Sequence, residues 1–157
     1  MNPIHPFLKE AIDLSRIKMQ NGEGGPFGAI IARGDQIIAR GWNRVTSAKD
    51  PTAHAEVEAI RKACQTLDSF SLKGCRIYSS CEPCPMCFAA IYWARLDEII
   101  FAATHEDAAQ AGFDDALLYQ EISLPVGARS LPMQNSGRAF AQAVFKQWSE
   151  KSDKVKY

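Results

Sequence analysis

The stretch CRIYSSCEPCPMCFAAIYWA, residues 75–94, decides how this chain is read. Cys75 to Ser80 reads as a short strand. Pro85 then opens a helix to about Ala94, since proline is well tolerated in a first helical turn. Cys81, Cys84 and Cys87 lie where the strand passes into the helix. Cys84 and Cys87 are three apart, so one helical turn can aim both sulfurs at a single ion, and a helix N-terminus favours the thiolates that ions bind.

Working outward, His54-Ala55-Glu56 also stands at a predicted helix start. Thr52 reads as the cap of a helix from about Ala53 to Thr66, with Glu56 and Glu58 near its positive end. Zinc takes imidazole nitrogen and thiolate sulfur, and three protein ligands leave a fourth tetrahedral position for water. His54, Cys84 and Cys87 are the candidate ligands. Zn²⁺ with two thiolates and a neutral imidazole sums to zero charge, and a bound hydroxide makes it minus one, which two helix N-termini would help hold. Glu56 is the candidate catalytic carboxylate, taking a proton from the zinc-bound water and handing it to a substrate nitrogen, work worth roughly 10²–10⁴-fold in rate. The backbone N–H groups of Ala55 and Cys84 are candidate donors at the site.

Around these motifs, Phe7, Leu8, Ala11, Ile12 and Leu14 form a helical stripe within residues 6–20, stopped by Asn21-Gly22. Phe27 to Ala32 and Gln36 to Asn43 read as a hairpin turning at Arg33-Gly34-Asp35. Glu98 to Ala103 is another strand, and helical patterns recur near Phe113–Tyr119 and Arg138–Trp148. An opening hairpin followed by alternating helices and strands implies a layered α/β domain whose later strands run parallel.

Length and composition bound the rest. The chain has 157 residues, the size of one domain, and folding at this mass removes roughly 70% of the unfolded chain's accessible area. Hydrophobic residues at 46% and charged residues at 23% disfavour disorder. Lys+Arg and Asp+Glu are both 18, without the basic surplus usual in proteins that bind nucleic acid through phosphates. No apolar stretch is long enough to span a membrane, and the first residues lack a signal peptide's pattern, so a cytoplasmic location is expected. Five cysteines, an odd number in a reducing compartment, favour metal binding or burial over a disulfide framework.

Competing readings of the same residues are weaker. Cys81 as a fourth ligand would make a structural zinc site, and would leave Glu56 without a purpose. An iron–sulfur run requires C-x₂-C-x₂-C-x₃-C, but Ile91 occupies the last position. Cys64 and Cys75 read as small buried hydrophobes, and His5 and His105 carry no ligand spacing.

The pair H-x-E and P-C-x-x-C, here His54-Ala55-Glu56 and Pro83-Cys84-Pro85-Met86-Cys87, is the zinc-deaminase signature. On it the chain resembles the cytidine deaminase-like superfamily. Further stretches closely resemble bacterial guanine deaminases: Gly24-Gly25-Pro26-Phe27-Gly28-Ala29, Asp50 to Glu56, Ser80 to Cys87, Ala90 to Arg95 and Ala111-Gly112-Phe113-Asp114-Asp115. The first four are shared in part with transfer-RNA adenosine deaminases; the last is the discriminating one. The resemblance implies a three-layer α/β/α fold with a central mixed five-stranded sheet across 1–157. It implies zinc-dependent conversion of guanine to xanthine and ammonia, with zinc hydroxide attacking C2, a role in guanine catabolism, and no nucleic-acid partner. It also implies a homodimer in which residues 149–157, ending at Tyr157, cover an active site and are exchanged between subunits.

Guanine's N–H donors call for acceptors, and a carboxylate is acceptor-only. The resemblance implies Asp114 there, with Asp115 as fallback, and Asn43 as a substrate contact; by composition alone Asn43 reads equally as a turn residue. Phe27 and Trp93 are candidate ring faces for the base, and each also suits a core position. The rival readings are a transfer-RNA adenosine deaminase, a cytosine-type deaminase and, from another class, a non-catalytic zinc-stabilised binding module.

Overall fold

A computed structural model describes residues 3–157, which divide into two compact units, one ending at Asp115 and one spanning Ala116–Tyr157. The first unit runs α1 (Pro6–Gln20), β1 (Gly28–Arg33), β2 (Gln36–Trp42), α2 (Val45–Ala48), α3 (Ala55–Leu67), β3 (Arg76–Cys81), α4 (Pro85–Trp93), β4 (Glu98–Ala103) and α5 (His105–Gln110). The strands form one mixed sheet ordered β2-β1-β3-β4. The β1 strand pairs antiparallel with both neighbours, whereas β3 and β4 run parallel in the register Arg76↔Glu98 to Cys81↔Ala103.

Strand alternation explains the layering. Ala29 and Ile31 of β1 join Ile77, Ala55, Ala59, Ala63 and Ile91 in a core beneath α3 and α4. Ile30 and Ala32, pointing the other way, meet Ala11 and Tyr78 beneath α1. A strand buried on both faces makes a three-layer α/β/α arrangement. Helix α3 can approach the sheet because β2 carries glycine at the crossing: a Cβ on Gly41 would lie 2.1 Å from the Ala55 carbonyl oxygen and 2.5 Å from the Ala59 nitrogen. That close approach sets the height of the helix bearing Glu56 above the strands.

Two expectations are corrected. The sheet has four strands among the described residues, not five. After β4, Thr104 and Asp107 form a capping box that starts α5, and the next apolar run, Ala116 to Tyr119, lies in a helix rather than a strand. Nor does Thr52 cap α3. The Asp50 carboxylate takes both the Thr52 N–H, at 2.8 Å, and its hydroxyl, at 2.7 Å. Pro51 and Thr52 lie in a turn, His54 is extended, and α3 begins at Ala55.

The second unit contains α6 (Ala116–Ser123), a 3-10 turn (Val126–Ala128) and α7 (Arg138–Glu150), and none of these elements has a buried residue. Ser130 N–H donates to the Glu121 carboxylate at 2.9 Å, and the Arg129 guanidinium to the Leu124 carbonyl at 3.2 Å. Among the described residues no helix is long and apolar enough to cross a membrane.

Candidate active site

His54 immediately precedes α3, Cys84 immediately precedes α4, and Cys87 lies in the first turn of α4. The two helix starts therefore converge. His54 Nδ1 stands 3.6 Å from Cys84 Sγ and 3.5 Å from Cys87 Sγ, and the three candidate donor atoms lie within 4.8 Å of one another. Tetrahedral zinc, with bonds of about 2.0–2.1 Å to nitrogen and about 2.3 Å to sulfur, holds N and S about 3.6 Å apart. The spacing thus fits zinc in both separations. Cys81 stands outside the cluster: its thiol donates to the Thr104 carbonyl at 3.6 Å, and the donor atoms that lie together are those of His54, Cys84 and Cys87. That geometry speaks against the four-ligand alternative.

The protonation pattern suits metal capture. The Cys87 thiol and the His54 ring beside Cys84 hold its pKa down to about 4, despite burial. Cys87 is pushed up by the Cys84 thiolate and by burial, and His54 is raised chiefly by its contact with Cys84. One thiolate is therefore ready, and the second gives up its proton when a dication arrives.

Glu56, one residue into α3, is 6% exposed. Its Oε1 accepts from the Ser79 hydroxyl at 3.3 Å, and its Oε2 from the Cys87 thiol at 3.4 Å. Burial raises its pKa, the direction a carboxylate needs if it is to hold and release a proton near neutrality. Sequence reasoning missed Ser79. Ser79 shares the face of β3 with Ile77, which packs under α3, so period-two reading from Ile77 would have found it.

Asn43 is 7% exposed, and its side-chain oxygen accepts from the N–H of Gly25, at 3.1 Å, and of Val45, at 3.2 Å. With its oxygen committed, the amide offers Nδ2, a donor. Gly24 is required beside it, since a Cβ there would fall 1.8 Å from the Asn43 carbonyl oxygen. Phe27 accepts the Asn43 N–H at its carbonyl and meets Phe113 edge-on, ring centroids 4.9 Å apart. Ala55 is fully buried at the first position of α3, where a helical N–H has no acceptor within the helix.

The acid pair divides. Asp114 is exposed, whereas Asp115 is half-buried, and burial raises its carboxyl pKa. The charge of Asp115 acts on Cys81 and His105, and that of Cys84 acts on Asp115. Asp115 thus lies within electrostatic reach of the candidate ligand Cys84. Trp93 is not brought to the cluster within the chain: it ends α4, is 67% exposed, and lines a shallow hollow of about 310 Å³ with Tyr92 and Arg95. Tyr157 is exposed at the end of the second unit.

A second grouping, Glu82, His105 and Glu106, stands just outside the first. Its imidazole nitrogens are engaged by the two carboxylates, at 2.9 Å to Glu82 and 3.3 Å to Glu106.

Residues 1–103 match the family described as the cytidine and deoxycytidylate deaminase zinc-binding region. A guanine deaminase from Bacillus subtilis (strain 168) is 48% identical over 151 residues, 96% of this chain and 97% of that protein. The X-ray structure of a guanine deaminase from Bacillus subtilis superposes with a TM-score of 0.93 at 48% identity, covering 96% of each chain. A tRNA-specific adenosine deaminase from Aquifex aeolicus (strain VF5) is 43% identical over 97 residues, 62% of this chain and 64% of that protein.

Proposed function

The chain belongs to the cytidine and deoxycytidylate deaminase zinc-binding family, and from that premise we propose that it hydrolyses guanine to xanthine and ammonia. One observation carries the choice of base. Likeness to a guanine deaminase runs at 48% identity along 96% of this chain, whereas tRNA-specific adenosine deaminases match at 43% over 62% of it or at 34% over 73%. The equal count of acidic and basic residues also speaks against an RNA substrate.

His54, Cys84 and Cys87 hold the zinc. When bound, zinc supplies Lewis acidity that makes water nucleophilic near neutral pH. Glu56 accepts a proton from the attacking water and delivers it to ring nitrogen N3 as C2 is attacked; it then takes the proton of the new C2 hydroxyl and passes it to the amine, which leaves as ammonia while C2 becomes a carbonyl. Ser79, donating to the other carboxylate oxygen, fixes the orientation of Glu56 for that work. Asn43 presents an N–H donor to an acceptor on the purine. Asp115, an acceptor-only carboxylate, receives guanine's N–H donors, a task the half-buried residue suits better than exposed Asp114. Phe27 supplies a ring edge or face against the base.

We read the whole chain as one cytoplasmic deaminase domain that works as a homodimer, with residues 149–157 exchanged between copies and Tyr157 covering a partner's site. Two apolar faces support assembly. Helix α4 leaves Phe88, Tyr92 and Trp93 at least 48% exposed, and α7 leaves Phe140, Val144 and Phe145 exposed on one flank.

The test is ammonia release from guanine, adenine, cytosine, cytidine and a transfer-RNA anticodon stem-loop, with zinc per chain measured on the same sample. Guanine turnover with about one zinc per chain sustains the reading. Turnover of RNA alone overturns the choice of substrate. Zinc without turnover of any base returns the chain to the binding-module reading.

A further inference from the structure

Helix α5 has six residues, none of them buried. A helix this short has no stability of its own in water, and no buried side chain of its own pins it to the core. It nonetheless carries Ala111 to Phe113: the N–H groups of Ala111, Gly112 and Phe113 all donate to carbonyls of Asp107, Ala108 or Ala109. Asp115 follows two residues later, so whatever fixes α5 fixes the segment that leads into Asp115.

Two attachments stand out. At the far end, Phe113 abuts Phe27. At the near end, Glu82, two residues before Cys84, receives both the backbone N–H of His105, at 3.0 Å, and its ring Nδ1, at 2.9 Å, on a single carboxylate oxygen. The N–H of Glu82 in turn donates to the Ala103 carbonyl at 2.8 Å. The loop that carries the zinc ligands and the helix that carries the base-recognising acid are thereby clasped to each other. The neighbouring capping box of Thr104 and Asp107 sets where α5 begins but does not reach the ligand loop.

We propose that Glu82 and His105 are positioning residues: their clasp fixes α5 and residues 111–115 against the zinc-ligand loop, and thereby sets the affinity for guanine. The assignment deepens the guanine deaminase reading and rests on it. Neither residue touches substrate; both act through Asp115. The clasp costs little to break thermodynamically, because half-exposed ion pairs are weak. Its consequence shows in where the acid sits.

The experiment uses the full, zinc-loaded chain in four forms: wild type, Glu82→Ala, His105→Ala and His105→Asn. Asparagine retains an N–H near the position of Nδ1. Steady-state guanine kinetics, zinc content and amide hydrogen exchange are measured on each. The two alanine variants are expected to raise KM about fivefold with kcat within about twofold, the scale of one exposed charged hydrogen bond. Zinc should stay at the wild-type level, and His105→Asn should recover most of the KM. The double variant Glu82→Ala/His105→Ala should be no worse than Glu82→Ala alone, because Glu82→Ala already removes both bonds that His105 makes to that carboxylate. Exchange should quicken across residues 104–115 and stay unchanged in β1 and α3.

Unchanged KM in both alanine variants overturns the inference, as does failure of asparagine to rescue. If wild type fails to turn over guanine, the functional reading falls, and the clasp is judged on exchange alone. Quickened exchange at 104–115 then sustains it as a positioning device, and unchanged exchange overturns it.

Discussion

Residues up to Asp115 and residues 116–157 present two ways of encoding a protein. The first region buries alternate faces of its strands under helices, and every candidate ligand and proton carrier sits at the start of a packed helix or on the central strand β3. The second has no buried residue in any of its helices, and its apolar side chains face outward from α6 and α7. The family match stops at residue 103, while likeness to the guanine deaminase runs on. The signature shared by the family therefore rests on the packed core, and the likeness to the guanine deaminase extends past it.

The sharpest way to break that division is at Glu56. Glu56→Gln keeps the shape of the side chain and removes its proton chemistry, so kcat should fall by about 10²–10⁴-fold, with zinc content and thermal midpoint near wild type. Zinc lost along with activity would make Glu56 a ligand and end the proton-carrier role. Next comes packing. Gly41→Ala forces a methyl against the α3 backbone and should cost about 1–3 kcal/mol in urea unfolding, with activity falling as α3 moves. Gly127→Ala, in the second region, meets no atom within 4 Å and should lie within about 0.5 kcal/mol of wild type. Equal costs at the two glycines would erase the contrast in packing.

A smaller effect separates the paired acids. Asp115→Asn should lower kcat/KM for guanine about tenfold, worth one charged hydrogen bond, while Asp114→Asn changes it less than about twofold. The reverse order would return base recognition to Asp114.

How much of this was legible in the sequence differs by feature for physical reasons. The clustering of His54, Cys84 and Cys87 beside Glu56 was legible because ligand chemistry restricts residue type and spacing to short motifs. Strand β4 and helix α4 were legible because periodicity and Pro85 mark their limits. The start of α3 was not, because the Asp50 carboxylate accepts both the N–H and the hydroxyl of Thr52 and holds it in a turn ahead of the helix. The fifth strand came with the resemblance rather than from these residues, and the capping box at Thr104 favours a helix there instead. Asp114 and Asp115 are neighbours, so composition cannot rank them; in the fold they differ in burial, Asp115 being the less exposed. The Glu82–His105 contact joins residues 23 apart, with no periodic signal to connect them.

The smallest effect concerns pH. All three histidines, His5, His54 and His105, belong to the first region, so any histidine-linked response of stability must arise there. The pKa of His105 is raised above its ordinary 6.5, first by the Glu82 carboxylate and then by the charges of Glu106 and Asp115. A raised pKa means that the folded chain holds the proton more tightly than the unfolded one. The stabilisation is therefore complete below pH 6.5 and fades as pH climbs through the folded-state value. The zinc-loaded wild type should exceed His105→Ala in thermal midpoint by more at about pH 6 than at about pH 9, a difference shrinking with added salt as exposed pairs are screened. A gap that instead widened with rising pH would mean that His105 is held neutral, and that a hydrogen bond without charge joins α5 to the ligand loop.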